Sequence, residues 1–364
     1  MIIYYIAWGI LCILAICEFY TADHPRLRSY ARLGVNLLAF FLFFIIVGLK
    51  GNVGSDYLSY QDKYDALVET LLYDWRSSLE PGFWYWMKGF SILGIPFVIF
   101  WLLTSFCNLC VKAYTFSKIS PYISISYAIY FVGLFFERDF DGIRQGISIG
   151  LSYLSIIYLL RNQTKRFYLL VVLACLFHYT SVIFLMVPYF QRHIKPAIIW
   201  GSIAIAFVLL WTGTYLFDLE FISNVGYGNI IAAKLSSYAM SSKYAAAVGL
   251  SIGMLFRMGI LYLFITSRER LNISNALYNI IKNGFAISII CSMLFGNIDI
   301  ISHRLMFGFR EFQIFIIPLI VSSIHNRNYR LLAIVLCLVY SLWLLYRLLN
   351  SNMQQFYYYQ TFFS

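Results

Sequence analysis

Charge is scarce in this chain. Asp, Glu, Lys and Arg make up only 12% of its 364 residues, about half the share in a soluble domain. No polar block is long enough to fold separately, which excludes a soluble domain tethered to a membrane anchor. Histidine is rare, at five residues, and His178 stands alone in its stretch. No HExxH pattern or other metal-ligand spacing surrounds it. No P-loop and no dinucleotide fingerprint is present, so nothing points to nucleotide hydrolysis or hydride transfer. The seven cysteines all lie in apolar stretches, which argues against a disulfide framework. Cys107 and Cys110 form a CxxC pair with no second pair nearby and read as small apolar helix residues. The first apolar segment has no basic leader and no small-residue cleavage site, so it is expected to be a retained span.

What is present is apolar. Hydrophobic residues supply 61% of the chain in runs that recur from end to end. A spanning helix needs about 20 such residues. The runs predict spans near residues 2–20, 33–49, 90–111, 121–136, 143–160, 197–217, 246–266, 276–295, 305–323 and 330–349. The stretch from Phe167 to Phe190 differs, because His178 interrupts it and basic residues flank both ends. It suits two short half-helices meeting near His178, a form tolerated in membranes where it lines a cavity. The expectation is an all-α polytopic membrane protein of about 10–12 membrane segments, including this broken or re-entrant hairpin, in one domain over residues 1–364.

The formal net charge of +11 does not signal nucleic acid. Lys and Arg sit in short clusters between apolar runs, as topology signals do. Clusters such as Arg26, Arg28 and Arg32, Lys112 and Lys118, and Arg161, Lys165 and Arg166 mark one face, expected to be cytoplasmic. Most acids fall on the opposite face, in loops near 50–89, 137–144, 218–245 and 296–304. The tail with Tyr357, Tyr358 and Tyr359 is expected at the membrane interface.

Several of these places could carry chemistry. The segment Gly51–Tyr64 reads GNVGSDYLSYQDKY. Its tyrosines, Tyr57, Tyr60 and Tyr64, would share one face of a short helix beside Asp56. A carboxylate next to aromatic faces suits a sugar; an interfacial helix with a tyrosine belt is the plain alternative. Glu80 precedes Pro81 and an aromatic helix, where it either caps the helix or stands at a cavity mouth. Glu137–Gln145, ERDFDGIRQ, is the densest charge cluster, with Arg144 opening the following helix and Gln145 beside it. A guanidinium at a helix N-terminus suits phosphate or diphosphate. A solvated loop with internal ion pairs is the plain alternative. His178, in LFHYTS, is either a satisfied core residue or a proton acceptor at the hairpin tip. Arg310 and Glu311 are intramembrane charges, functional by default or paired with Arg257 or Lys282.

These residues together carry a resemblance. GNVGSDYLSYQDKY, then Glu80 with its aromatic helix, then IRQGISIGLSYLSIIYLL, a basic turn and LFHYTS resemble the EpsG-like family of bacterial polysaccharide polymerases. In role that family is similar to the Wzy O-antigen and capsule polymerases. The likeness spans about residues 50–190, and HRLMF resembles the family's late arginine-bearing segment. It implies a GT-C-like fold in the bacterial inner membrane, and a glycosyltransferase that joins oligosaccharide repeat units on undecaprenyl diphosphate at the periplasmic face. The implied partners are a flippase and a chain-length regulator, besides membrane lipids, and no cofactor or metal is implied. On this reading the catalytic acid or base comes from Asp139, His178, Asp56 and Glu80. Arg144, Arg138, Arg304 and Arg310 bind diphosphate, and Tyr57, Tyr60, Tyr64 and Gln145 bind sugar. The acids of Glu137–Asp141 exceed the family pattern, so Arg138 is either a diphosphate ligand or the partner of Asp139. A lipid-linked oligosaccharide flippase, a glycan ligase and an O-acyltransferase are the rival readings.

Overall fold

The computed structural model describes residues 1–67, 69, 72–74, 77–213, 251–295, 304–351 and 357–363. Among these the chain is helical, with no β-structure beyond an isolated bridge between Lys50 and Thr361. The helices are α1 Ile2–Thr21, α2 Pro25–Gly48, α3 Tyr57–Ala66, α4 Pro81–Ile92, α5 Phe97–Ile119, α6 Ile123–Tyr130, α7 Ile143–Leu160, α8 Thr164–Phe177, α9 Val187–Phe190, α10 Pro196–Trp211, α11 Ile252–Thr266, α12 Asn275–Leu294, α13 Phe307–Arg310, α14 Gln313–Ser322 and α15 Arg327–Leu349. Six of them, α1, α2, α5, α7, α12 and α15, are long and apolar enough to cross a membrane. Shorter apolar helices cover Tyr179–Phe190, Pro196–Trp211 and Ile252–Thr266. The protein is an all-α polytopic membrane protein.

Local chemistry explains where the helices begin and break. Pro81 and Pro196 open α4 and α10 at positions whose N–H has no helical partner anyway. Ser274 and Asn326 cap α12 and α15 through their side chains. The cap of α6 is long-range: the buried Glu18 of α1 accepts from the backbone N–H groups of Ile123 and Ser124, both at 2.9 Å. Arg32 of α2 does the reverse for α5, donating to the carbonyls of Ser117 and Ser120 at its end. Arg26, Arg28 and Arg32 therefore lie inside the first turns of α2 rather than in a loop. The predicted span 90–111 is divided instead, because Gly94 takes a positive φ of 66° and Pro96 follows. Beyond α6 the chain continues as a π-helix over Phe131–Asp141, so the acidic cluster is helical and not a loop. At His178 the backbone is extended (φ −161°, ψ 125°) and a 3-10 turn begins at Tyr179. The predicted break at His178 is present.

The described residues form two compact units, one of Met1–Phe184 with Ile317–Ser364 and one of Leu185–Ile316. The first has an aromatic core: Phe43 packs on Tyr127, Tyr130 and Phe135, and Trp101 on Tyr57 and Phe97. The tail joins this core. Tyr357 is buried against Phe136, and Gly51 N–H donates to the Gln360 carbonyl at 2.9 Å. The tail tyrosine expected at the interface is thus interior at 357, whereas Tyr358 is exposed. In the second unit, the polar side chains of α12 satisfy the carbonyls that follow α9. Asn283 donates to Phe190 and Arg192, Asn279 to Gln191, and Lys282 to Ile194.

Candidate functional site

Four segments of the first unit bring their ends together: α3, the N-termini of α4 and α7, and the C-terminus of α8. At their meeting point is the carboxylate of Glu80. It is 4% exposed, and each of its oxygens has a cationic or imidazole partner. Oε2 accepts from Arg144 Nη1, and Oε1 lies 2.6 Å from His178 Nδ1. Arg144 also donates from Nε to the Tyr60 hydroxyl (3.1 Å) and from Nη1 to the Ser78 carbonyl (3.0 Å).

The electrostatics follow from burial and neighbours. Burial pushes the Glu80 carboxyl up, but the hydrogen bond from His178 and the charge of Arg144 outweigh it and hold Glu80 below the usual carboxylate range. Burial pushes the Tyr60 hydroxyl up to about 12, so it stays protonated beside the guanidinium. A carboxylate only accepts, so in the neutral imidazole Nδ1 carries the proton and Nε2 keeps its lone pair. The His178 side chain is 23% exposed, and among the described residues no partner occupies Nε2.

Asp56 and Lys63 complete the surroundings. Burial and then the neighbouring Asp141 raise the Asp56 carboxyl. Burial and then Arg144 lower the Lys63 ammonium. The loop carrying Asp56 is anchored from both sides. Asp141 Oδ1 accepts from the N–H groups of Ser55 (2.6 Å) and Asp56 (3.1 Å). The fully buried Lys50 donates to the carbonyls of Val53 and Phe140 and lies over the Phe140 and Trp101 rings. Gly54, at φ 98°, supplies the left-handed turn the loop needs.

The other residues singled out from the sequence go elsewhere. Asp139 is 1% exposed and meets Lys112, Asn108 (2.7 Å) and Tyr130 in the interior. Lys112 is accordingly inside α5 and not in a cytoplasmic loop. Arg138 pairs with Glu137 at 3.5 Å. Tyr57, Tyr60 and Tyr64 do share a face, but that face points inward, against Phe83, Phe97, Phe100 and Trp101. Tyr64 donates to the Ile95 carbonyl, and only Tyr60 reaches the charged cluster. Gln145 is buried behind Arg144, with its amide nitrogen unmatched among the described residues. In the second unit, Arg310 pairs with its neighbour Glu311 at 3.2 Å and covers the Phe307 ring, and Arg304 is half-buried ahead of α13. Lys282, one of the two partners expected for that pair besides Arg257, serves the Ile194 carbonyl. The loop 218–245 and residues 296–303 fall outside the described residues.

Two further features are legible in the sequence. Lys63 follows Tyr60 by three residues, the helical spacing that puts both on the Arg144 side. The stretch Gly146–Gly150 spells GISIG, the letters of a serine-hydrolase elbow. It lies within α7, and Ser148 is fully buried and bonded to carbonyl groups, so it presents no nucleophile.

This arrangement can polarise an imidazole from one side and hold an anion beside Arg144 and Lys63. The family model described as EpsG family matches residues 35–361. The chain belongs to the EpsG family. That family is polysaccharide-polymerase-like, which gives the protein a polymerase-type, glycosyltransferase-like function. The EpsG match includes every residue of the Glu80 cluster. No curated protein and no solved structure matches the chain.

Proposed function

We propose that this EpsG-family chain polymerises lipid-diphosphate-linked oligosaccharide repeat units at the non-cytoplasmic face of a bacterial inner membrane. The observation that carries the reading is the Glu80 carboxylate shared between Arg144 and His178. Glu80 orients the imidazole, and His178 Nε2 takes the proton of the acceptor sugar hydroxyl as that oxygen attacks the anomeric carbon of the donor. The bond from that carbon to the diphosphate oxygen breaks, and the electron pair leaves with the lipid diphosphate. Arg144 and Lys63 neutralise the leaving group. Attack in line with the departing diphosphate inverts the anomeric centre. Asp56, beside Arg144 and Lys63, is assigned to bind sugar hydroxyls.

An apolar recess of about 160 Å³, lined by Trp86, Asn108, Ile147, Leu151, Leu173 and Phe177, adjoins the site through Phe177. It suits the first units of an undecaprenyl tail. Such a polymerase works with a flippase that delivers units and a regulator that sets chain length. The test is a gel of surface polysaccharide from a strain lacking the chain, with and without its restoration. Single repeat units on deletion and a ladder on restoration are expected. Loss of even the single unit would assign delivery or ligation instead.

A further inference from the structure

The catalytic reading needs Glu80 and His178 within one hydrogen bond, although they sit on different helices 98 residues apart. Two contacts bear on that distance. The first is Gly82, in the opening turn of α4 two residues after Glu80. A β-carbon there would lie 2.7 Å from both the Cβ and the carbonyl oxygen of Leu176, two residues before His178. The obstacle includes backbone and cannot swing aside, so any side chain at 82 forces α4 away from the end of α8. Gly89, later on the same helix, has nothing within 4 Å of an added β-carbon.

The second contact is Ser148. It lies four residues after Arg144, on the same stripe of α7. Its hydroxyl is fully buried, 2.8 Å from the Ala174 carbonyl and 3.2 Å from that of His178, and it meets the Ser181 hydroxyl. Ser152, one turn further, also reaches Ser181, at 3.0 Å. The Ala174 carbonyl already accepts the His178 N–H at 2.9 Å and the His178 carbonyl the Ser181 N–H at 3.2 Å, so the Ser148 hydroxyl adds a side-chain tie from α7 to the backbone of the break. One stripe of α7 therefore offers Arg144 to Glu80 and a hydroxyl to the break that carries His178.

We infer that Gly82 and Ser148 are positioning residues that set the Glu80–His178 contact. The inference rests on the proposed role of His178 as base. A displacement of about 1 Å at such a pair costs on the order of a hundredfold in rate.

The experiment uses the purified full chain in detergent. The substrate is the lipid-linked glycan extracted from cells lacking the chain. Initial rates are compared for wild type, Gly82→Ala, Gly89→Ala, Ser148→Ala and His178→Ala. Labelling of the His178 ring by diethyl pyrocarbonate is followed by mass spectrometry on the same proteins. Helix propensity favours Ala at both glycines, so propensity predicts no loss. The expected result is kcat lower by about a hundredfold in Gly82→Ala, with KM unchanged, an altered labelling rate at His178, and Gly89→Ala like wild type. Wild-type kcat and labelling in Gly82→Ala, with His178→Ala inactive, overturn the positioning roles while the proposed reaction stands. Full activity in His178→Ala overturns both. Should Gly82→Ala fail to accumulate, Ser148→Ala decides by the same readouts, since it removes a single oxygen and adds no bulk.

Discussion

Replacing Glu80 by Gln tests the centre of the site with almost no change of shape. The carboxylate serves two donors, Arg144 Nη1 and His178 Nδ1, one on each oxygen. An amide has one oxygen to offer. If it faces Arg144, its NH2 group faces the imidazole, which must then carry its proton on Nε2 and can no longer accept one there. If it faces His178, the NH2 group faces the guanidinium, and the buried cation loses its counter-charge. Each charge-assisted hydrogen bond contributes about 1.5–3 kcal/mol, so loss of one should be visible as a lowered Tm in detergent. The effect on rate should be larger than a stability loss of that size explains, because a positioned general base contributes roughly 10²–10⁴-fold. The assay is polymer formation from lipid-linked repeat units, with the amount of folded chain measured in parallel. Glu80→Gln that makes polymer within about threefold of the wild-type rate would refute the base role drawn from this geometry.

Other outcomes follow from the same geometry. Tyr60→Phe removes the hydroxyl that accepts from Arg144 Nε and should lower the polymerisation rate about tenfold; Tyr57→Phe should leave it unchanged, because Tyr57 is core, and equal losses in the two variants would return the tyrosines to a shared sugar-binding face. Glu80 is held below its ordinary value of 4.5, so its contribution to stability is present above that pH and lost as pH falls through the depressed folded value. The Tm gap between wild type and Glu80→Gln should therefore close under acid, and a gap that widens there would contradict the sign. Lys112→Met or Asp139→Leu alone leaves a buried charge unpaired and should cost about 3–5 kcal/mol, read as lost protein in the membrane, whereas the double variant should accumulate; normal accumulation of both single variants would show that the pair is not the structural contact read here. A cysteine in place of Ser55 should react with an impermeant thiol reagent from the periplasmic side; labelling only after membrane disruption would reverse the proposed orientation.

Much of the architecture is legible in one dimension, because a membrane leaves the backbone few options. Apolar runs of spanning length become α1, α2, α5, α7, α12 and α15. Pro81 marks the start of α4, and a lone His in an apolar run marks the break after α8. Glu80, Arg144 and His178 all stand out by residue type and place. What periodicity could not supply is which charge meets which. Asp139 and Arg144 are five residues apart in one cluster, yet Asp139 turns to Lys112 in the interior while Arg144 turns to Glu80. The shared face of Tyr57, Tyr60 and Tyr64 is a property of the helix, but whether that face meets sugar or core depends on where α4 and α5 pack. Local pattern was enough for most of the helices and for the polar residues a membrane protein would not carry without cause, but not for every helix end, since residues 90–111 divide at Gly94 and the Glu137–Asp141 cluster is helical. Only the tertiary structure joined Glu80 to partners 64 and 98 residues away, because such contacts are set by how helices pack and not by the local pattern that forms them.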